Sequence, residues 1–218
     1  MPAVPLPLLR LTGLSSLLLC VCVPAETLTV TVLDEQSGTP VPGAVVTLPG
    51  AGEPSPGTFR IAQQDRAFQP RVLTVPAGSE VNFPNKDDTQ HHVYSFSEAK
   101  TFDIELYAGE PESPIRFDQP GIVELGCNIH DRMQGFVIVT DRPYYGRTDE
   151  TGRIHFKRSA APQGQPITAR VWHPRLRNKT RFREAAFSGA ATEIHLALPP
   201  RPNTSDKLDQ LQQEFNDL

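Results

Sequence analysis

Cysteine is scarce in this chain: there are three among 218 residues, and two of them, Cys20 and Cys22, lie in the apolar stretch near the amino terminus. Cys127 is the only cysteine in the rest of the sequence, so no disulfide framework can form there. A cysteine without a partner is either inert in a core or used chemically. Cys127 is therefore the first candidate for a functional residue.

An excess of basic residues is also lacking. Lys and Arg number 21 against 25 Asp and Glu, for a net charge of −4. A nucleic-acid-binding protein needs cations to neutralise phosphates, so we expect no nucleic-acid partner.

Long hydrophobic runs are missing too. The apolar stretch 11–23 is too short to be a convincing membrane span. It follows Arg10 and ends in Val23-Pro24-Ala25, which is typical of a secretory signal peptide over residues 1–25. We therefore expect export to the periplasm of a Gram-negative bacterium, with no stable membrane insertion after cleavage.

Proline and glycine are plentiful, at 22 and 15 residues, and short runs of β-branched and aromatic residues lie between them. This pattern predicts an all-β fold of short strands joined by turns. The predicted strands are 27–33, 44–48, 71–75, 80–83, 92–96, 102–106, 115–117, 122–125, 135–139, 167–172 and 194–198, and residues 148–156 are predicted as a turn leading into a further strand.

The end of the chain has a different pattern. A proline-rich linker follows residue 198, and Ser205 is a suitable helix N-cap. Leu208, Leu211, Phe215 and Leu218 then recur at helical spacing. Residues 199–218 thus predict a linker and a short amphipathic helix.

The segment Gly126 to Gly135, G-C-N-I-H-D-R-M-Q-G, combines a thiol, an imidazole and a thioether at spacings of three and three. Cys127, His130 and Met133 are donors that suit copper, and a second histidine would complete a His₂Cys set with a weak axial methionine. The upstream loop N-K-D-D-T-Q-H-H offers His91 or His92 for that place. Zinc is the competing metal, but it makes little use of a thioether.

Residues 68–140 resemble the cupredoxins, small blue copper proteins such as plastocyanin, pseudoazurin and amicyanin. The resemblance rests on V-P-A-G-S-E-V-N-F-P-N at 75–85, Q-P-G at 119–121 and M-Q-G-F-V-I-V at 133–139, and the short C-x₂-H-x₂-M spacing is similar to that of amicyanin. It implies a Greek-key β-sandwich with one type 1 copper, bound by His91, Cys127, His130 and Met133. It also implies that Asn85, six residues before His91, ties the two ligand loops together. His92 stands where the family usually has asparagine and stays the alternative ligand.

The flanks resemble a different family. The segment V-L-D-E-Q-S-G-T-P-V-P-G-A-V-V-T-L is similar to the opening of a carboxypeptidase-regulatory-like β-sandwich, and T-D-E-T-G-R-I-H-F at 148–156 is similar to its continuation. We therefore expect a cupredoxin domain at 58–142, inserted in or adjacent to a second sandwich made of residues 26–57 and 143–198. Strands near 28–48 should then share a sheet with strands from 153–198. The chain as a whole resembles bacterial cupredoxin-containing proteins described as methylamine-utilisation-like.

These features favour an electron carrier rather than an enzyme. The expected partner is a redox protein such as a cytochrome c or a periplasmic dehydrogenase. A copper carrier or sensor in the periplasm is the alternative, and it would require a more accessible site and readily exchanged metal.

Overall fold

The computed structural model describes residues 25–159 and 165–200. Residues 1–24 of the predicted signal peptide, 1–25, and the whole predicted C-terminal helix lie outside these ranges. Within them the regular structure consists of strands alone, which confirms the all-β prediction. Among the described residues no helix has the length and apolarity needed to cross a bilayer.

The described chain contains seventeen strands. They are β1 (Ala25–Asp34), β2 (Val45–Leu48), β3 (Thr58–Arg60), β4 (Ala62–Gln64), β5 (Ala67–Gln69), β6 (Val72–Pro76), β7 (Ser79–Asn82), β8 (His91–Ser97), β9 (Lys100–Tyr107), β10 (Ile115–Phe117), β11 (Gly121–Gly126), β12 (Gln134–Thr140), β13 (Tyr144–Arg147), β14 (Arg153–Ser159), β15 (Ile167–Trp172), β16 (Arg183–Phe187) and β17 (Ala191–Leu196).

Strands β3 to β12 form what we call the inner unit. Its largest sheet has the order β6-β12-β11-β8-β9, and it faces the smaller sheet β10-β7-β3 and the hairpin β4-β5. Alternate residues of these strands point inward, as the two-residue period of a strand requires. They enclose a core of Val, Phe and Ile side chains that also contains Cys127 and Met133.

Strands β1, β2 and β13 to β17 form what we call the outer unit. Its two sheets have the orders β14-β1-β17 and β13-β2-β15-β16, and they enclose a core of their own. β1 therefore lies between two strands from the carboxyl-terminal part, and β2 pairs with two more. The strands expected to share sheets do share them.

The chain leaves and re-enters the outer unit at neighbouring strands. Leu48 at the end of β2 is paired with Tyr144 at the start of β13, and the inner unit lies between them in sequence. At the opposite end of this strand pair, the Thr148 hydroxyl donates to Val41 O at 2.7 Å and accepts from Ala44 N at 2.9 Å.

The two units share a third apolar core. Phe136 of the inner unit and Trp172 of the outer unit meet edge to face, with ring centroids 4.8 Å apart, and both are fully buried. Val45, Val72, Ile122 and Ile138 complete this cluster. The two units are therefore packed against each other through a shared apolar core, in addition to being connected by the chain.

Candidate metal centre

The loop between β11 and β12 carries three of the four expected donors. Gly126, the last residue of β11, is paired with Gln134, the first of β12, so the loop 127–133 starts and ends on neighbouring strands. Cys127 and Met133 are its first and last residues, and both are buried. Met133 N also donates to His130 O at 2.9 Å, which tightens the loop. The paired strands β11 and β12 thus position both sulfur-bearing residues.

His91 is brought to the same place by β8. Side chains alternate along this strand, so His91 and Val93 face the core while His92 lies half-buried on the opposite face. His92 Nε2 is instead 2.5 Å from the Asp103 carboxylate. The alternation of side chains along β8 therefore directs His91 into the core and His92 to the opposite face, and it favours His91 as the ligand.

The donor atoms of His91, Cys127 and His130 converge. Cys127 Sγ lies 3.8 Å from His91 Nδ1 and 3.9 Å from His130 Nδ1, and the three donor atoms lie within 4.8 Å of one another. Bonds of about 2.0–2.3 Å from a first-row metal place three donors in a plane roughly 3.8 Å apart. The observed separations fit a single metal ion at the centre of this triangle.

Met133, at the other end of the loop, belongs to the same buried cluster as Cys127. A thiolate, two imidazoles and a thioether make up the donor set that copper prefers. The remaining loop residues, Asn128, Ile129, Asp131 and Arg132, are exposed, and His130 is half-buried between them. One ligand imidazole is consequently close to solvent.

A glycine at each end of the loop leaves room for an aromatic ring, Tyr94 at Gly126 and Phe68 at Gly135. A Cβ atom at Gly126 would lie 2.6 Å from the Tyr94 ring, and one at Gly135 would lie 2.9 Å from Phe68. Such distances are far below van der Waals contact, so any side chain here would push the loop or the ring away. Close packing therefore fixes both ends of the loop.

Asp87 is a residue near the site that the sequence reasoning missed. Its Oδ2 atom lies 2.7 Å from His91 Nε2, on the side of the ring opposite Cys127. The same carboxylate accepts two backbone hydrogen bonds, Oδ1 from Asp65 N at 2.7 Å and Oδ2 from Arg66 N at 2.9 Å. Burial by itself would raise the pKa of Asp87, but the hydrogen bonds from Arg66, His91 and Asp65 outweigh it and hold that pKa below its usual value.

Asn85 organises a different set of contacts from the one expected. Its Nδ2 donates to Thr89 O at 2.8 Å and to Tyr107 O at 2.9 Å, and its Oδ1 accepts from Asp87 N at 3.0 Å. Among the hydrogen bonds of the described residues, none joins Asn85 to the loop 127–133. Asn85 therefore shapes the loop that precedes His91. The expectation that Asn85 ties the two ligand loops together is thereby corrected.

Gln63 and Tyr107 form a buried hydrogen-bonded pair next to the strand that carries His91. Gln63 Nε2 donates to the Tyr107 hydroxyl, which itself donates to Phe83 O. Burial raises the pKa of the Tyr107 phenol well above its usual value. Tyr107, which is paired with His91 across β8 and β9, is thus a neutral hydrogen-bonding group.

Comparison with known proteins places these residues within a recognised domain. Residues 44–139 match the family model of the cupredoxin-like domain, and this range contains His91, Cys127, His130 and Met133. It begins before the expected boundary at residue 58 and includes β2, which is hydrogen-bonded into the outer unit. Among curated proteins, no match to the chain was found.

Several solved structures are similar to part of the chain. They include a Cu-containing nitrite reductase from Thermus scotoductus, with 27% identity over 41% of this chain and a TM-score of 0.35. A purple cupredoxin from Nitrosopumilus maritimus has 20% identity over 38% of this chain and a TM-score of 0.34. Amicyanin from Paracoccus versutus has 20% identity over 44% and a TM-score of 0.35. The matched part spans 23% of the reductase, 99% of the purple cupredoxin and 97% of amicyanin.

Proposed function

We propose that the protein is an electron carrier, since residues 44–139 match the cupredoxin-like domain and His91, Cys127 and His130 are placed to hold one copper ion. The ligands in this proposal are His91, Cys127, His130 and Met133. The observation that carries it is the approach of Cys127 Sγ to His91 Nδ1 and His130 Nδ1, at 3.8 and 3.9 Å. A bound copper ion supplies a one-electron couple between Cu(II) and Cu(I).

The chain contributes rigidity to this function. Electron transfer is fast when the site changes little between the two oxidation states, and here the donors are held by β8, β11 and β12 through backbone pairing. Three of the four side chains, His91, Cys127 and Met133, are buried and closely packed. This arrangement favours a carrier over a site that must open to exchange its metal.

The electron enters and leaves through His130 in this proposal. His130 is the half-buried ligand, and the neighbouring Ile129 side chain is 48% exposed. A redox protein that covers this loop would come within a few ångströms of the ligand imidazole. The partner we propose is a cytochrome c or a periplasmic dehydrogenase, met in the periplasm of a Gram-negative bacterium.

We also propose that the outer unit is a separate sandwich of residues 26–57 and 143–198, into which the cupredoxin domain 58–142 is inserted. The pairing of β1 with β14 and β17, and of β2 with β13 and β15, supports this division. The relationship of that sandwich to carboxypeptidase-regulatory-like domains stays a prediction from the sequence.

The visible spectrum tests the proposed function. The full chain and its Cys127→Ser, His91→Ala and His92→Ala variants are loaded with Cu(II), and the spectra are recorded beside one-electron voltammetry. We expect an intense thiolate-to-copper band and a reversible couple in the wild type and in His92→Ala. The band should be lost in Cys127→Ser and in His91→Ala.

Other outcomes have distinct meanings. Loss of the band in His92→Ala with retention in His91→Ala would exchange the two histidines. Tight copper binding without a reversible couple would overturn the electron carrier and favour the copper carrier or sensor.

A further inference from the structure

A two-residue turn brings the β4-β5 hairpin up to the metal centre. Gln64 is paired with Ala67, so Asp65 and Arg66 alone form the connection. Their φ angles are +55° and +56°, as a hairpin turn of this length requires. Positive φ is unfavourable for residues with side chains, so this turn needs support from outside itself.

Asp87 provides that support and contacts the metal site at the same time. One carboxylate oxygen accepts from Asp65 N, and the other accepts from Arg66 N and lies 2.7 Å from His91 Nε2. The carboxylate is mostly enclosed, with 17% of its side chain exposed, and His91 is completely buried. The contacts with Asp65 N, Arg66 N and His91 Nε2 thus hold the Asp87 carboxylate in one orientation.

The contact determines which ring nitrogen of His91 can bind a metal. Both oxygens of this carboxylate already accept from backbone N–H groups, so the ring nitrogen beside Oδ2 is placed as a further donor. Nε2 is then the donor to Asp87, and the lone pair on Nδ1 points toward Cys127 Sγ, 3.8 Å away. A carboxylate bonded in this way also makes the imidazole a stronger donor to the metal.

We propose that Asp87 is a positioning residue that fixes His91 in the metal-binding tautomer and, by strengthening its donation, favours Cu(II) over Cu(I) and lowers the reduction potential. The inference rests on the proposed function, since it takes His91 as a copper ligand. It also gives the β4-β5 turn a role, because that turn holds the carboxylate in place.

Asp87→Asn is the variant that tests this proposal, because the amide is uncharged and cannot accept all three hydrogen bonds. Loss of such a partner lowers metal affinity by about 10- to 100-fold. We expect Cu(II) affinity to fall by that amount and Cu(I) affinity to fall roughly tenfold less. A tenfold difference corresponds to a rise in potential of about 59 mV for a one-electron couple. Affinities are measured by competition with chelators for each oxidation state, and the potential by voltammetry.

Two controls separate positioning from a general loss of stability. Asp149→Asn removes a carboxylate that likewise accepts backbone N–H groups in a turn, at Thr151 and Arg153, but in the outer unit. It should leave the potential unchanged. In the double variant Asp65→Gly with Arg66→Gly, the turn no longer needs support, and Asp87→Asn made in this background should still raise the potential.

The proposal fails if both copper affinities fall equally or if the potential does not move. If Asp87→Asn does not fold, NMR of the metal-free wild type decides: a slowly exchanging Nε2 proton on His91 is expected, and a proton on Nδ1 instead would overturn the proposal. A wild type that lacks the intense band defeats the proposed function itself, whereas a band with an unshifted potential in Asp87→Asn defeats this inference alone.

Discussion

Gly126 is the residue next to Cys127 in the chain, and the Tyr94 ring fills the space where its side chain would be. We expect Gly126→Ala to destabilise the protein by about 1–3 kcal/mol, because overpacking forces the ring or the loop to move. The copper band should shift or weaken as Cys127 moves with the loop. Chemical unfolding of the metal-free protein and the spectrum of the copper form check this.

Gly57→Ala is the matched control for that change. A Cβ atom at Gly57 would make an ordinary contact, 3.4 Å from Phe59. An equal loss of stability in both variants would contradict the packing explanation.

Asp34 ends β1 and caps the turn that follows it. Its Oδ1 accepts from Gln36 N and Ser37 N, and Arg175 lies 3.9 Å from Oδ2. Burial would raise the pKa of Asp34, but the hydrogen bonds from Ser37 and Gln36, together with the charge of Arg175, hold it below its usual value. The folded protein therefore binds the Asp34 proton at lower pH than the unfolded chain does.

The sign of the resulting pH dependence follows from linkage. The stabilisation is fully present above the unfolded value of about 3.9 and is lost as pH falls through the lower folded pKa. Asp34→Asn should be less stable than the wild type near neutral pH and should lose less stability on acidification below about pH 4. Thermal unfolding across that range is the measurement, and parallel curves for the two proteins would refute the expectation.

The elements of the fold were predictable to different degrees. Strands with clear alternation, such as β1 and β8, were predicted because one face is buried and the other is not. β3, β4 and β5 have three residues each, and β13 carries no buried residue, so none has a pattern that sequence reasoning can detect. These short strands are fixed by tertiary pairing instead.

The candidate site was predictable where local spacing carries the information. Cys127, His130 and Met133 were predicted from their spacing in the sequence, and all three lie on the single loop between β11 and β12. Asp87 could not be predicted, because its role depends on the β4-β5 turn, which approaches from a distant part of the chain. The contacts of Asn85 were misjudged for the same reason, since they depend on where Tyr107 lies.

Thr148 joins the residues just before β2 to the end of β13, because its hydroxyl makes two buried hydrogen bonds across more than a hundred residues of sequence. Thr148→Val keeps the shape but leaves Ala44 N and Val41 O unpaired. The expected cost is about 1–3 kcal/mol for each unsatisfied buried group. Denaturant unfolding should show this loss, while the copper spectrum should stay unchanged because both hydrogen bonds lie in the outer unit. Thr148→Ser retains the hydroxyl and should recover most of the stability.

At the scale of the whole molecule, Phe136 and Trp172 connect the two cores. Trp172 is fully buried, and its indole N–H donates to Lys179 O at 2.8 Å. Trp172→Ala should cost about 3–5 kcal/mol through the cavity it leaves.

The shared core also predicts cooperative unfolding of both units in the wild type. Loss of the copper band and loss of β-structure should occur at the same denaturant concentration. In Trp172→Ala, the two transitions should separate or both move to lower denaturant. Two separate transitions in the wild type would show that the units unfold independently.

The pairing of Leu48 with Tyr144 has a consequence for how such a molecule could arise. Neighbouring strands lie about 4.8 Å apart, so the intervening polypeptide begins and ends almost at one point. For the surrounding sheet that polypeptide is a lengthened hairpin connection, and the entropic penalty of lengthening a connection grows only logarithmically. A compact guest with adjacent termini can therefore be grafted there, provided that it also covers Val45 and Trp172 of the outer unit as the present inner unit does.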